Sequence, residues 1–211
     1  INWSLRSFKW DNLFNYGEGN HIDFDKLSGV VGILGKNFSG KSSIIDSMLY
    51  TLFNSTSKNE RKNLNLMNQN KEEACASIEL SVGHSVYKIE RESKKYERTL
   101  KGNTTQEAKT DVEFIRNDQD TGEEIVLTGD KRSSTDKSIR SIFGTLDDFL
   151  LTSMASQLGS LNYINEGSTK RKEILAKFLD LEIFEKKFKK AKDDASDLKS
   201  ALKRFDGRDF E

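Results

Sequence analysis

Residues 35 to 43 read GKNFSGKSS, and this stretch decides the fold of the chain. From Gly35 to Ser42 it satisfies the pattern G-x-x-x-x-G-K-[ST], in which backbone N–H groups and the N-terminus of the following helix face phosphate oxygens. In that chemistry Lys41 reaches the β and γ phosphates, and Ser42 offers its hydroxyl to Mg²⁺. The sequence therefore predicts a site for a nucleoside triphosphate with Mg²⁺.

The residues on either side of the loop supply the context that this pattern needs. Val30 to Leu34 form an apolar run that predicts a strand buried on both faces. After the loop, apolar residues recur with the spacing of one helix face: Ile44, Ile45, Met48, Leu49, Leu52 and Phe53. A strand, a glycine-bearing loop and a helix in this order indicate a genuine phosphate loop.

Composition limits the remaining possibilities. The chain has 211 residues, enough for one generous domain or one domain with an appendage. Its 34 basic and 34 acidic residues balance, so any surface for DNA must be a local patch. A single cysteine excludes an internal disulfide and favours a reducing compartment. No apolar run matches a membrane span and no signal-peptide pattern is present, so we expect a cytoplasmic protein without membrane contact.

The rest of the chain divides by the period of its apolar residues. Residues 74 to 127 alternate with a period of two and are punctuated by glycine turns, which predicts an antiparallel meander in a layer separate from the strand-loop-helix unit. Helical stripes follow at 146–154 and at 174–179, the second entered through Ser168 or Thr169. A heptad run from Leu181 to Phe205 predicts a coiled-coil helix. The fold class is thus α/β, with a phosphate-loop domain over 1–180 and the root of a coil over 181–211.

The loop by itself does not distinguish kinases, GTPases, helicases and transport-type ATPases. A Walker B segment, in which an apolar strand ends in carboxylates that hold Mg²⁺ and a catalytic base, would help to do so. The sequence has no such run, because Asp147 and Asp148 follow Gly144-Thr145 instead of an apolar strand. The acidic half of the catalytic machinery is therefore missing from these residues.

Taken together, these features resemble the amino-terminal half of an SMC-like DNA-repair ATPase of the SbcC (Rad-fifty) family, which includes phage recombination-endonuclease subunits. The resemblance covers almost the whole chain. Three stretches carry it: GKNFSGKSS at 35–43, MASQLG at 154–159, and STKRKEIL at 168–175 followed by LEIF at 181–184. Two departures are Phe38, where the family usually has glycine, and NLFN at 12–15, where the family usually has a basic residue.

The resemblance implies a split ATPase head. In that family the amino-terminal lobe carries the phosphate loop and a Q-loop, a long coiled coil intervenes, and the carboxy-terminal lobe returns with a signature motif and Walker B. ATP is held between two heads of a homodimer. Head closure then regulates a partner nuclease of the SbcD type and the binding of double-stranded DNA.

The family's functional residues carry over to matching positions of this chain. The resemblance assigns nucleotide and Mg²⁺ contacts to the loop residues Asn37, Phe38, Ser39, Gly40, Lys41, Ser42 and Ser43. Gln157 corresponds to the Q-loop glutamine, which touches Mg²⁺ and the attacking water. Lys41 and Gln157 are therefore the expected catalytic residues, and Ser42 and Gln157 the expected Mg²⁺ ligands. We expect Phe38 to project away from the phosphates, toward the open side of the nucleotide or the opposing head.

Two other functions are compatible with the sequence. A self-contained P-loop kinase or GTPase would turn over substrate without any partner chain. A nucleotide-sensing lobe that tethers DNA would bind ATP, and dimerise on it, without releasing phosphate. Both remain open at the level of sequence.

Overall fold

The computed structural model describes residues 3–58, 62–100, 102–154, 162–179 and 181–203. The chain separates into two compact units, Ile1–Ser156 and Gln157–Glu211. The mixed α/β architecture expected from the sequence is confirmed.

The first unit is built on one antiparallel sheet of six strands. These are β1 (Ser4–Asp11), β2 (Asn20–Asp23), β3 (Glu73–Val82), β4 (Ser85–Leu100), β5 (Asn103–Asp118) and β6 (Glu124–Val126), in the spatial order β2-β1-β3-β4-β5-β6. The predicted meander is confirmed, and Gly83, Gly102 and Gly122 provide the positive φ of its turns.

The sheet extends beyond the predicted meander, because β1 and β2 join the same sheet. β1 pairs antiparallel with β3, with Phe8 opposite Ile78 and Trp10 opposite Ala76. All four side chains are at most 4% exposed. A continuous apolar face across both strands fixes this pairing, since a slip of one residue would turn that face to solvent.

The helix that follows the phosphate loop is α1 (Lys41–Phe53), which packs on β3 and β4. Met48, Leu49, Leu52 and Phe53 are buried, as their spacing predicts. Ile45, by contrast, is 39% exposed, because close burial of α1 begins only at Ser47. The carboxyl half of α1 therefore anchors the helix on the sheet, and the half that carries the loop is more open.

Two further helices complete the described part of the first unit. α2 (Arg132–Phe143) was not predicted; it buries Thr135, Ile139 and Phe143, which recur every fourth residue. α3 (Leu146–Thr152) is capped by Thr145, whose hydroxyl accepts from the backbone N–H of Asp148 at 3.2 Å. α3 ends at Thr152, so the helical stripe predicted through Met154 is interrupted.

The second unit is helical in its described residues. It contains α4 (Asn162–Asn165), α5 (Ser168–Phe178) and α6 (Glu182–Lys203). α5 begins at Ser168, as predicted, and α6 follows the predicted heptad run as far as Lys203. Phe188, Leu198 and Leu202 of α6 are each more than 65% exposed. No described helix combines the length and the apolar character that crossing a membrane requires.

The apolar run at 30–34 does not form the predicted strand. It has no regular secondary structure and pairs with no strand of the described residues. Val30 is 103% and Leu34 is 95% exposed, against the expectation of burial on both faces. A strand is stabilised by hydrogen bonds to neighbouring strands, and the sheet of this unit ends at β2 and β6 without reaching these residues.

A buried arginine joins the layers of the first unit. Arg91 of β4 is fully buried; its Nε donates to the carbonyl of Thr51 at 2.7 Å, and its guanidinium pairs with the carboxylate of Asp136 on α2. Burial lowers the pKa of Arg91, and the negative charge of Asp136 opposes that change. Beside this pair, the hydroxyls of Tyr50 and Ser93 form a hydrogen bond of 2.7 Å.

We expect Asp136→Ala to lower the free energy of unfolding by about 3–5 kcal/mol, because it leaves a buried guanidinium without its counter-charge. Chemical denaturation of the protein measures this loss. Asp111→Ala is the matched control, since it removes the carboxylate of the exposed Lys109–Asp111 pair (3.2 Å), and we expect almost no change. Equal losses in the two variants would contradict the role assigned to the buried pair.

Candidate phosphate-binding site

The phosphate loop leads directly into the N-terminus of α1. Residues 37 to 40 form the turn, and α1 begins at Lys41. Gly40 is the N-cap residue, and no side chain caps the helix. The first N–H groups of a helix have no intrahelical partners and carry a partial positive charge. The loop therefore offers backbone donors of the kind that bind phosphate.

Both glycines of the motif lie where a side chain would be unfavourable. A Cβ at Gly35 would lie 2.9 Å from the hydroxyl oxygen of Ser39, so the side chain of Ser39 would have to move. Gly40 has φ +89°, in the left-handed region that favours glycine. The spacing of the motif thus reflects the tight path of the backbone.

Lys41 lies over the loop that precedes it. Its Nζ donates to the carbonyl oxygens of Gly35 at 2.8 Å and Lys36 at 2.6 Å. Both bonds join the ammonium to the backbone of the loop, so the positive charge is held beside the N-terminus of α1. This is the region in which the sequence places the β and γ phosphates.

Phe38 combines an unusual backbone conformation with full exposure. Its φ is +63°, and its side chain is 100% exposed. A bulky residue in the left-handed region is strained, as expected from the position that the family usually fills with glycine. The exposure agrees with the expected outward direction of the ring, which stays a prediction for the nucleotide-bound protein.

The other predicted site residues are only partly brought together. Asn37, Ser39, Ser42 and Ser43 share the loop and the first turn of α1, where the N–H of Ser43 donates to the carbonyl of Gly40 at 3.0 Å. Gln157 lies outside the described residues, so its proposed approach to Mg²⁺ stays a prediction.

Two residues at the site were missed by sequence reasoning. The hydroxyl of Tyr16 donates to the carbonyl of Gly40 at 3.0 Å, and the amide of Asn15 donates to the carbonyl of Phe38 at 3.4 Å. Burial raises the pKa of Tyr16, so its hydroxyl keeps the proton that it donates at neutral pH. No local pattern could have indicated these contacts, because 24 residues separate Tyr16 from Gly40.

The described residues contain no group of three or more His, Cys, Asp or Glu side chains arranged to hold a metal. The carboxylate of Asp46, the acidic residue of α1, accepts a hydrogen bond from the backbone N–H of Ser57 at 2.8 Å.

The thiol of Cys75 is also a poor candidate for chemistry at this site. Burial and the nearby carboxylate of Asp11 raise the pKa of Cys75 to about 11, so this thiol stays protonated and is a poor ligand or nucleophile. Ser42 is thus the candidate Mg²⁺ ligand that the described loop supplies.

A glycine-bearing loop that matches the phosphate-loop pattern and leads into an uncapped helix N-terminus defines the class of this protein as a phosphate-loop nucleotide-binding protein. The family described as "AAA domain" matches residues 6–206, and the chain belongs to it.

Several relatives support the resemblance to the SbcC (Rad-fifty) family. "Uncharacterized protein R555" of Acanthamoeba polyphaga mimivirus is 31% identical over 95% of this chain and 15% of its own length. The SbcC subunit of nuclease SbcCD from Bacillus subtilis is 29% identical over 81% of this chain and 15% of its own length. "DNA double-strand break repair Rad50 ATPase" of Methanocaldococcus jannaschii is 25% identical over 93% of this chain and 17% of its own length. The chain thus spans about one sixth of the length of these relatives, and the resemblance is confirmed.

Substitution of Phe38 tests the strain in the loop. Phe38→Gly and Phe38→Ala both remove the exposed ring, but only glycine tolerates φ near +63° without strain. We expect the glycine variant to be more stable than the alanine variant by about 1 kcal/mol, measured by thermal or chemical unfolding. Equal stability of the two variants would show that position 38 is not held in the left-handed region.

Proposed function

We propose that this chain is the ATP-binding amino-terminal lobe of an SMC-like ATPase, which dimerises on ATP and regulates a partner nuclease in DNA end processing and recombination. The observation that carries this proposal is the exposed apolar segment at 30–34, which continues directly into the phosphate loop. In such an arrangement the loop itself is complete, but the strand that should lead into it lacks neighbouring strands to pair with.

The exposed segment supports a missing lobe for a physical reason. Val30, Val31, Ile33 and Leu34 are each more than 50% exposed, although runs of this composition belong to strands covered on both faces. Exposed apolar surface is unfavourable in water, and backbone groups that pair with no strand are open to pairing with a neighbouring strand. We assign the neighbouring strands to the carboxy-terminal lobe of the same ATPase.

The phosphate chemistry of the proposed site follows from its donors. Lys41 and the backbone of the loop would bind the β and γ phosphates, and Ser42 together with Gln157 would hold Mg²⁺. Bound Mg²⁺ would neutralise charge on the phosphates. The carboxylate that assists hydrolysis would come from the carboxy-terminal lobe, and a second head would complete the site across the dimer.

The remaining partners rest on the relatives and on α6. One relative is named as part of a nuclease and another as an ATPase of DNA double-strand break repair, which supports an SbcD-type nuclease and double-stranded DNA as partners. The exposed apolar residues of α6 support a coiled coil that starts near residue 181, with the head lobe over 1–180. This functional boundary lies beyond the end of the first compact unit at Ser156.

Lys41→Ala tests the nucleotide site. In the full-length protein we expect it to abolish ATP binding, measured with a fluorescent ATP analogue, because the phosphates lose their main side-chain cation. Lys36→Ala removes the same charge from the same exposed loop and should leave binding largely intact. Undiminished binding by Lys41→Ala would refute the site. Phosphoryl transfer to an acceptor substrate, or turnover of GTP, by the 211-residue chain alone would instead favour a self-contained kinase or GTPase.

Val31→Lys tests whether the segment at 30–34 contacts the carboxy-terminal lobe. We expect a charge in the segment at 30–34 to prevent co-elution of this chain with the carboxy-terminal lobe of the native protein, because the charge would be buried between strands. Leu100→Lys is the control: it changes an equally apolar residue, 59% exposed at the end of β4, and should leave co-elution unchanged. Full co-elution of Val31→Lys would show that the segment is not part of the interface with the carboxy-terminal lobe.

A further inference from the structure

The phosphate loop and the turn at residues 12–16 share an uncommon backbone conformation. Among the described residues, four that are not glycine have positive φ, and three of these are Asn12 (+57°), Phe14 (+54°) and Phe38 (+63°). The loop adds Gly40 at +89°. Strained backbone persists where the surrounding structure holds it, and it concentrates at functional sites. The contacts between the two segments show what holds it here.

Two side chains of the turn reach the carbonyls of the strained loop residues. Tyr16 Oη donates to the carbonyl of Gly40 at 3.0 Å, and Asn15 Nδ2 donates to the carbonyl of Phe38 at 3.4 Å. The approach is close, since a Cβ on Gly40 would lie 3.2 Å from the ring of Tyr16. Hydrogen bonds from the 12–16 turn therefore hold the loop at Phe38 and Gly40, its two residues with positive φ.

The turn is itself fixed to the body of the first unit. The N–H of Phe14 donates to the carbonyl of Leu66 at 2.7 Å, and the N–H of Asn68 donates to the carbonyl of Asn12 at 2.8 Å. The side-chain amide of Asn68 also donates to the carbonyl of Tyr16 at 3.0 Å. The side chains that reach the loop thus project from an anchored backbone.

Anchored carbonyls determine where the next N–H groups point. In a trans peptide the C=O of one residue and the N–H of the next point in opposite directions. Bonds from the turn to the carbonyls of Phe38 and Gly40 therefore direct the N–H groups of Ser39 and Lys41 away from the turn. The N–H of Ser39 does face the interior of the loop, where it donates to the carbonyl of Lys36 at 3.3 Å.

We propose that Tyr16 and Asn15 are positioning residues for phosphate binding: they hold the carbonyls of Phe38 and Gly40 outward so that the next N–H groups, those of Ser39 and Lys41, face the phosphates. This inference rests on the proposed ATP site. It assigns to the 12–16 turn, which lacks the family's usual basic residue, a role that requires no contact with the nucleotide.

Tyr16→Phe in the full-length protein is the direct test, because it removes the hydroxyl and keeps the ring, which packs against Trp10 with centroids 5.3 Å apart. We expect the dissociation constant and the KM for ATP to rise about threefold to tenfold, the range for one lost hydrogen bond. We expect kcat at saturating ATP to stay constant, because the lost contribution acts on ground state and transition state alike. Asn15→Ala should have a smaller effect in the same direction, since its bond is longer.

Hydrogen exchange provides a second measurement that requires no ATP. In the nucleotide-free protein, Tyr16→Phe should speed amide exchange in peptides that cover residues 36–43. Tyr96→Phe is the matched control, because it removes another tyrosine hydroxyl, bonded to Glu107 at 2.6 Å on the β4–β5 hairpin. It should change neither exchange in the loop nor ATP affinity.

The outcomes separate this inference from the proposed function. A wild-type protein that binds no ATP would refute the proposed function, and the inferred role of the turn in phosphate binding would fall with it, while faster exchange in Tyr16→Phe would still establish that the turn holds the loop. Where wild type binds ATP, unchanged exchange in Tyr16→Phe overturns the inference, whatever happens to affinity. Faster exchange with unchanged ATP affinity also overturns it, since the loop would then be held without consequence for binding.

Discussion

The guanidinium of Arg91 is the constraint on which the first unit depends. It reaches from β4 to the carbonyl of Thr51 near the end of α1 and to the carboxylate of Asp136 on α2. A buried charge is costly unless its partners stay in place, so sheet and helices have a defined relation at this point. α1 has 13 residues and carries the phosphate loop at its other end, about 15 Å from Thr51 along the helix axis. The position of the loop is thus set partly by an interaction remote from it.

Local structure was predictable from the sequence, and contacts between residues far apart in the chain were not. The phosphate loop, the meander and the helices α1, α5 and α6 follow from spacing and turn residues, because those signals lie within a few residues of one another. The support of Gly40 by Tyr16 joins residues that are 24 apart, and no periodicity records such a contact. α2 was missed because polar residues surround its buried Thr135, Ile139 and Phe143.

The failed prediction at residues 30–34 has a different origin. The apolar run indicates a segment suited to burial, but burial requires neighbours, and a run of residues does not show whether its neighbours belong to the same part of the chain. The pairing of β1 with β3 was not predicted for a related reason: Phe8 and Trp10 continue the apolar face of β3, but their spacing alone does not name that strand. In both cases the sequence shows that a segment is apolar but not which strand it pairs with.

Under the proposed arrangement, the order of synthesis creates a hazard at the segment that feeds the phosphate loop. The chain corresponds to 15% of the Bacillus subtilis relative, so most of such a protein would emerge from the ribosome after residues 30–34. At about 5–20 residues per second, the interval before the carboxy-terminal lobe exists is on the order of a minute. Throughout that time an exposed apolar segment would be open to strands of other nascent chains. A split head therefore requires protection of its amino-terminal lobe during translation, and correct assembly becomes a matter of timing as well as of affinity.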